Sequence, residues 1–204
     1  YLYKTTDFGR TWTSISGALP TGHPLDYVMT VAENPHRKGM LFAGTGHGYF
    51  YSLDDGKSWT QFQDGLPTAP VSWIATPKVA HDVVVSTYGR GLFVLRDITT
   101  LEQSDRVAAD ADVVTYEPQP GYRMARTGTT TFNIRLKNAP KDSIKLDIVD
   151  SSGVVVRSMK WVARAGLNRL TWDMRHDAPK QVELRTTPPD NPKIWEEARF
   201  KGRQ

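Results

Sequence analysis

With no cysteine in the chain, the side chains able to do chemistry are carboxylates, imidazoles, hydroxyls, amines, guanidinium groups and aromatic rings. Two carboxylates stand out by their surroundings. Asp54 lies in Ser52-Leu53-Asp54-Asp55-Gly56-Lys57-Ser58-Trp59, and Asp7 in Thr5-Thr6-Asp7-Phe8-Gly9-Arg10-Thr11-Trp12. Both read Ser/Thr-x-Asp-x-Gly-x-Ser/Thr-Trp, and the Asp residues are 47 positions apart. An acid between hydroxyls invites a catalytic reading, but turn chemistry accounts for every position. The carboxylate accepts backbone N–H groups further along the chain, and the glycine supplies a positive φ. The hydroxyls fasten the ends of the turn, and the indole covers the next strand. Thr5, Asp7, Gly9, Thr11, Trp12, Ser52, Asp54, Gly56, Ser58 and Trp59 are therefore expected to be structural, with Asp55 a solvated turn residue.

Other chemistry finds little footing. The five histidines (His23, His36, His47, His81, His176) show no metal-ligand spacing, so neither a metal nor a cofactor is expected. Gly44-x-Gly46-x-Gly48 is followed by a strand-like run rather than a helix, which removes a dinucleotide loop. No serine sits in a nucleophile elbow.

The elements that carry these residues read as short strands parted by Gly, Pro, Asp and Asn. The runs are Trp12–Ile15, Tyr27–Glu33, Met40–Gly44, Tyr49–Leu53, Trp59–Phe62, Val71–Thr76, Val83–Thr87 and a last one ending at Leu95. Ala18-Leu19-Pro20 recurs as Gly65-Leu66-Pro67 at the same 47-residue offset, so the repeat extends beyond the two boxes. Four strands per unit of this length is the spacing of propeller blades. A third copy is worn: Arg96-Asp97-Ile98 keeps the Asp but not the Gly or Trp. Tyr1-Leu2-Tyr3 matches Tyr49-Phe50-Tyr51, so the chain is expected to begin inside a unit.

Residues 98–125 then read as a linker, with a helical turn near Leu101–Ser104 and a strand at Asp112–Tyr116. Residues 126–178 alternate in the manner of antiparallel strands with one buried face (Thr129–Leu136, Ile144–Val149, Val154–Val156, Met159–Trp161, Arg169–Met174), with Trp161 and Trp172 as core candidates. Residues 179–204 are Pro-rich and extended, with a helical stretch at 194–200. The expected fold is all-β: the last blade or blades of a β-propeller (1–97), then an Ig-like β-sandwich (126–178) that either has its last strands beyond residue 204 or is a reduced one.

Charge divides the same way. Residues 1–119 hold 9 Lys/Arg against 13 Asp/Glu, and residues 120–204 hold 17 against 9. The basic residues are interspersed with acids along strand-like segments, the pattern of a solvated β-surface rather than of a nucleic-acid site. No apolar run is long enough to cross a bilayer.

The boxes resemble the Asp-box, or bacterial neuraminidase repeat, found in sialidases, xyloglucan-cleaving glycosidases and the sortilin ectodomain. Thr87-Tyr88-Gly89-Arg90-Gly91-Leu92-Phe93-Val94-Leu95-Arg96-Asp97-Ile98 is similar to the last-blade ending of exported bacterial proteins with sortilin-like propellers, often labelled glycosyl hydrolases. The stretches 149–157 and 166–175 resemble the Ig-like domain that follows such propellers, related to a module of the flagellar hook-capping protein. The resemblance implies that the box turn joins a blade's third and fourth strands at the outer rim, away from the channel. It also implies export to the periplasm or the exterior.

Ligand chemistry in a propeller belongs to the loops at the channel mouth. Here those are 23–27, 46–48, 70–73 and 88–91, which bring His23, Asp26, His47, Trp73, Tyr88 and Arg90 toward one face. These residues suit glycan or peptide binding, and Asp26 is a weak candidate for one of the two acids a glycosidase needs. No second carboxylate accompanies it. The expected function is non-catalytic binding or scaffolding, with other protein chains, glycans and the protein's own remaining blades as partners and no nucleic acid. The alternatives are a sialidase- or xyloglucanase-like glycoside hydrolase with most catalytic residues in further blades, and an accessory subunit of a large complex.

Overall fold

A computed structural model describes residues 1–177 except Asp64, Ala109 and residues 125–127. Residues 126–127 and 178, from the ends of the expected sandwich, and the whole of the expected 179–204 tail with its helical stretch lie outside the described residues. The described chain is nearly all β. It forms small antiparallel sheets joined by turns, with one four-residue α-helix. No helix in it is long and apolar enough to cross a membrane.

The first 95 residues form three sheets. β1 (Tyr3–Lys4) pairs with β2 (Thr13–Ser14). β3 (Val28–Glu33), β4 (Leu41–Thr45), β5 (Tyr49–Ser52) and β6 (Thr60–Gln61) follow one another as a four-stranded meander. β7 (Val71–Ala75), β8 (Val83–Thr87) and β9 (Gly91–Leu95) form a three-stranded meander. The first box joins β1 to β2 and the second joins β5 to β6, so the two sequence copies occupy equivalent corners. The third sheet has no counterpart of β6. Instead the chain turns at Asp97, which takes a positive φ of 54°, into α1 (Thr99–Glu102) and a 3-10 turn at Ser104–Arg106.

Burial follows from the stacking of these sheets. Every residue of β4 is buried, because both faces of the middle sheet are covered. On one face Phe42 and Tyr49 pack with Val71, Ile74, Val83 and Val85 of the third sheet. On the other, Ala43 and Phe50 pack with Leu19, Val28 and Trp59. Gly44 sets the approach of β7 to β4: a Cβ there would lie 2.4 Å from Val71 Cγ1. The outer sheets are covered on one side only. Trp73, Leu92 and Val94 are exposed on the far face of the third sheet, where Trp73 and Leu92 flank Ser86 in one cross-strand row. Met29 and Val31, on the β3 edge strand of the middle sheet, are exposed as well.

The second region has a three-stranded sheet of β10 (Val113–Thr115), β11 (Thr130–Leu136) and β14 (Gly166–Trp172), and a two-stranded sheet of β12 (Ile144–Val149) and β13 (Val155–Trp161). Ile134, Leu136 and Ala163 form a shared apolar cluster with Ile144, Leu146, Trp161 and Leu170. β10 comes from the stretch read as linker, yet it pairs with β11 through Val114↔Arg135. β13 runs unbroken where two short runs were expected.

Candidate functional site

The box carboxylates are occupied as fasteners. Asp54 Oδ1 accepts the Ser52 hydroxyl at 2.8 Å and the Ser58 N–H at 2.9 Å, and Oδ2 accepts the Ser58 hydroxyl at 2.6 Å. Asp7 repeats the set with Thr5 at 2.9 Å and with the Thr11 N–H and hydroxyl at 2.8 and 2.7 Å. The Gly56 N–H donates to Ser52 Oγ, and the Gly9 N–H to Thr5 Oγ1, each at 2.8 Å. Such donors stabilise the ionised carboxylate. The Ser58 hydroxyl, then its N–H, lowers Asp54 to a pKa of about 2; the Thr11 N–H, then its hydroxyl, lowers Asp7 to about 2. Both Asp residues are therefore fixed anions with their oxygens engaged in the turn.

The indoles of the two boxes differ. Trp12 Nε1 donates within its own turn to the Gly9 carbonyl at 3.1 Å, whereas Trp59 Nε1 donates to the Ile15 carbonyl of the preceding sheet at 2.8 Å. Asp55, expected to be solvated, accepts the Lys4 ammonium and so adds a second tie to that sheet.

The third Asp has a different partner set. Asp97 accepts the Thr99 hydroxyl at 2.5 Å and the Asn133 amide at 2.9 Å. Asn133 in turn accepts Arg169 Nε at 3.0 Å. Burial opposes ionisation of Asp97, but the Thr99 hydroxyl, the Asn133 amide and the Arg169 charge together hold its pKa below the usual carboxylate range. Asp97 thus couples the three-sheet array to the second region.

Of the loop residues expected to share a face, three meet. The pairing of Val28 with Thr45 draws loop 23–27 against the β4–β5 hairpin. There the His23 and His47 rings lie 4.6 Å apart, centroid to centroid. Asp26 Oδ2 accepts the His23 N–H at 2.7 Å, and Oδ1 lies 3.1 Å from His47 Nδ1. His23 and Asp26 open onto a cleft of about 440 Å³ that also includes Tyr1, Pro20 and Tyr27. Trp73, Tyr88 and Arg90 are exposed on the neighbouring sheet, and no hydrogen bond, ion pair or ring contact links them to these three. Arg90 has no ion-pair partner among the described residues.

A second polar cluster was not singled out from the sequence. Asn34 donates to Glu102 Oε1 at 2.8 Å, and His81 Nδ1 lies 2.5 Å from Glu102 Oε2 in a hydrogen bond. Arg37 donates to the Leu101 carbonyl at 2.6 Å and the Ser104 hydroxyl at 2.7 Å. His36 stacks on His81 at 3.8 Å. These groups dock α1 onto the array. Their only sequence signal is a set of unremarkable polar residues 21 to 68 positions from their partners.

Set against models of known protein families, curated proteins and solved structures, the chain matches none.

Proposed function

We propose that this chain carries the last blades of an exported bacterial Asp-box β-propeller protein, continuing into an Ig-like β-sandwich, and that it serves in binding or scaffolding rather than catalysis. The observation that supports this most is the contrast between the sheets. The middle sheet has β4 and β5 covered on both faces, while the outer sheets leave apolar residues bare: Tyr3 and Trp12 at the first sheet, Trp73, Leu92 and Val94 on the third. Apolar area of that kind is favourably removed from water by further units of the same array. The matching hydrogen bonds of the two boxes support a repeated blade corner. The shared cluster around Ile134 and Leu136 supports a small sandwich.

The binding reading rests on the chemistry of the loops. Asp26 sits between two imidazoles, and its cluster contains no second carboxylate to complete a glycosidase pair. The bare β9 edge also supports the accessory-subunit reading, in which another chain covers Leu92 and Val94.

The test uses the full-length protein. It is expected to be monodisperse by itself, to turn over nothing on a broad panel of glycans, and to retain glycans or proteins on an array. Hydrolysis abolished by Asp26→Asn would overturn the non-catalytic reading. Residues 1–97 expressed alone are expected to give no cooperative melt; a sharp one would count against further units being required.

A further inference from the structure

The Asp26–His47 contact has the right separation for an ion pair but not the geometry of a hydrogen bond. Asp26 Oδ1 and His47 Nδ1 are 3.1 Å apart and both are buried, yet neither has a hydrogen-bond partner among the described residues. The Asp26 side chain is only 6 % exposed. A buried acceptor and a buried imidazole nitrogen left unsatisfied cost free energy unless something else binds them. The other histidine–carboxylate pair shows the contrast: His81 Nδ1 and Glu102 Oε2 meet in a true hydrogen bond, and neither atom is orphaned.

From this geometry we propose that His23, Asp26 and His47 bind a divalent first-row metal ion of the zinc type. One ligand atom from each of the three lies within 4.8 Å of the others. Zinc bonds of about 2.0–2.2 Å in a tetrahedron set neighbouring ligand atoms roughly 3.3 Å apart. Asp26 Oδ1 and His47 Nδ1 already stand near that separation without bonding to each other. His23 Nδ1 accepts the Leu25 N–H at 3.1 Å, so it carries a lone pair, which it gives to the ion in place of that bond. The second Asp26 oxygen is held by the His23 N–H, which orients the carboxylate from outside the coordination sphere. Two imidazoles and one carboxylate suit zinc and its first-row neighbours better than calcium or magnesium, which demand oxygen ligands. Three protein ligands leave a coordination position for water or a ligand donor, and the cleft beside His23 and Asp26 gives it access. The site does not depend on what the array belongs to. His23 and Asp26 share one loop and His47 lies 21 residues beyond Asp26 on another, so the sequence shows only the His23-x-x-Asp26 pair as a local spacing.

The test is a Co2+ titration of full-length protein first stripped with a chelator. The expected result is one equivalent bound, with the intense visible absorption of a four-coordinate ion, displaced by Zn2+. Asp26→Asn and His47→Ala should each weaken binding at least about tenfold, while His36→Ala should leave it unchanged. No binding, the pale spectrum of an octahedral ion, or affinity insensitive to both ligand substitutions would overturn the site. The wild-type spectrum remains decisive if a variant fails to fold.

Discussion

The Asp97 carboxylate accepts a hydrogen bond from the Asn133 amide at 2.9 Å, joining the last turn of the three-sheet array to β11. Asn133 is 2 % exposed, so its amide has no water to fall back on. Asp97→Ala is expected to destabilise the protein by about 1–3 kcal/mol, the usual cost of a buried polar group left unpaired. For a chain of this size that is a fall in Tm of roughly 2–4 °C per kcal/mol. Asp97→Asn, which keeps an acceptor, should lose less. Thermal denaturation followed by circular dichroism decides between a coupling role and a dispensable contact.

The box turns should be sensitive at their buried members. Ser52 is 1 % exposed and its hydroxyl satisfies the Gly56 N–H, so Ser52→Ala should cost about 1–3 kcal/mol. Gly56 combines a φ of 83° with an ideal Cβ position 2.9 Å from Ile15. Gly65 has a similar φ of 78° and open space around it. Gly56→Ala should therefore lower the melting temperature more than Gly65→Ala, and equal effects would mean that the Ile15 contact is irrelevant.

Acid should release the same turns. Asp7 and Asp54 titrate at about 2 in the folded chain against an ordinary value of 3.8. A folded-state pKa below the unfolded one means that the unfolded chain takes up protons first as the pH falls. The contribution of these groups is thus fully present above pH 3.8 and is lost as the pH drops toward 2. Melting temperature measured from pH 5 to pH 2 should fall less steeply in an Asp7→Asn, Asp54→Asn double variant than in the wild type. Parallel profiles would show that other groups govern acid unfolding.

The contact between the middle and third sheets can be tested as a pair. Gly44→Ala places a Cβ against Val71 and should cost about 1–3 kcal/mol as an overpacked substitution. Val71→Ala alone opens a gap in the same place. Combined, the two should fall only slightly short of the sum of their separate effects, because Val71→Ala removes the Cγ1 contact but leaves the Val71 Cβ 2.7 Å and Thr30 Cγ2 2.8 Å from the new Cβ. A large shortfall, read from chemical denaturation, would place the strain at Val71 Cγ1 alone.

What the sequence made legible depends on how far apart the partners lie. The box networks close within seven residues, so residue type alone anticipates each bond from Thr5 to Thr11 and from Ser52 to Ser58. The strands follow from alternation, and β8 matches its expected bounds because Val83, Val84 and Val85 are flanked by turns. β13 was harder to read. Arg157 and Ser158 interrupt its apolar run, yet Ser158 donates to Asp147 across the pair and Arg157 bonds Asp177, so the polar residues belong to the strand. The loops holding His23, Asp26 and His47 could be assigned to one face by repeat register. Their contact could not, because it depends on the bulged pairing of β3 with β4. Glu102, with partners at Asn34 and His81, gave no local sign at all.

The box ties also have a direction. Lys4 grips Asp55, Ile15 receives the Trp59 indole and packs on Gly56, and in every case the partner was synthesised earlier in the chain. As the chain leaves the ribosome from its N-terminus, each completed corner can lock at once onto a sheet already in place. Asp97 breaks this order, since Asn133 and Arg169 come after it. The worn third box is thus the point where assembly has to wait, and where a nascent chain pausing between residues 97 and 169 would expose the unfinished edge of the array.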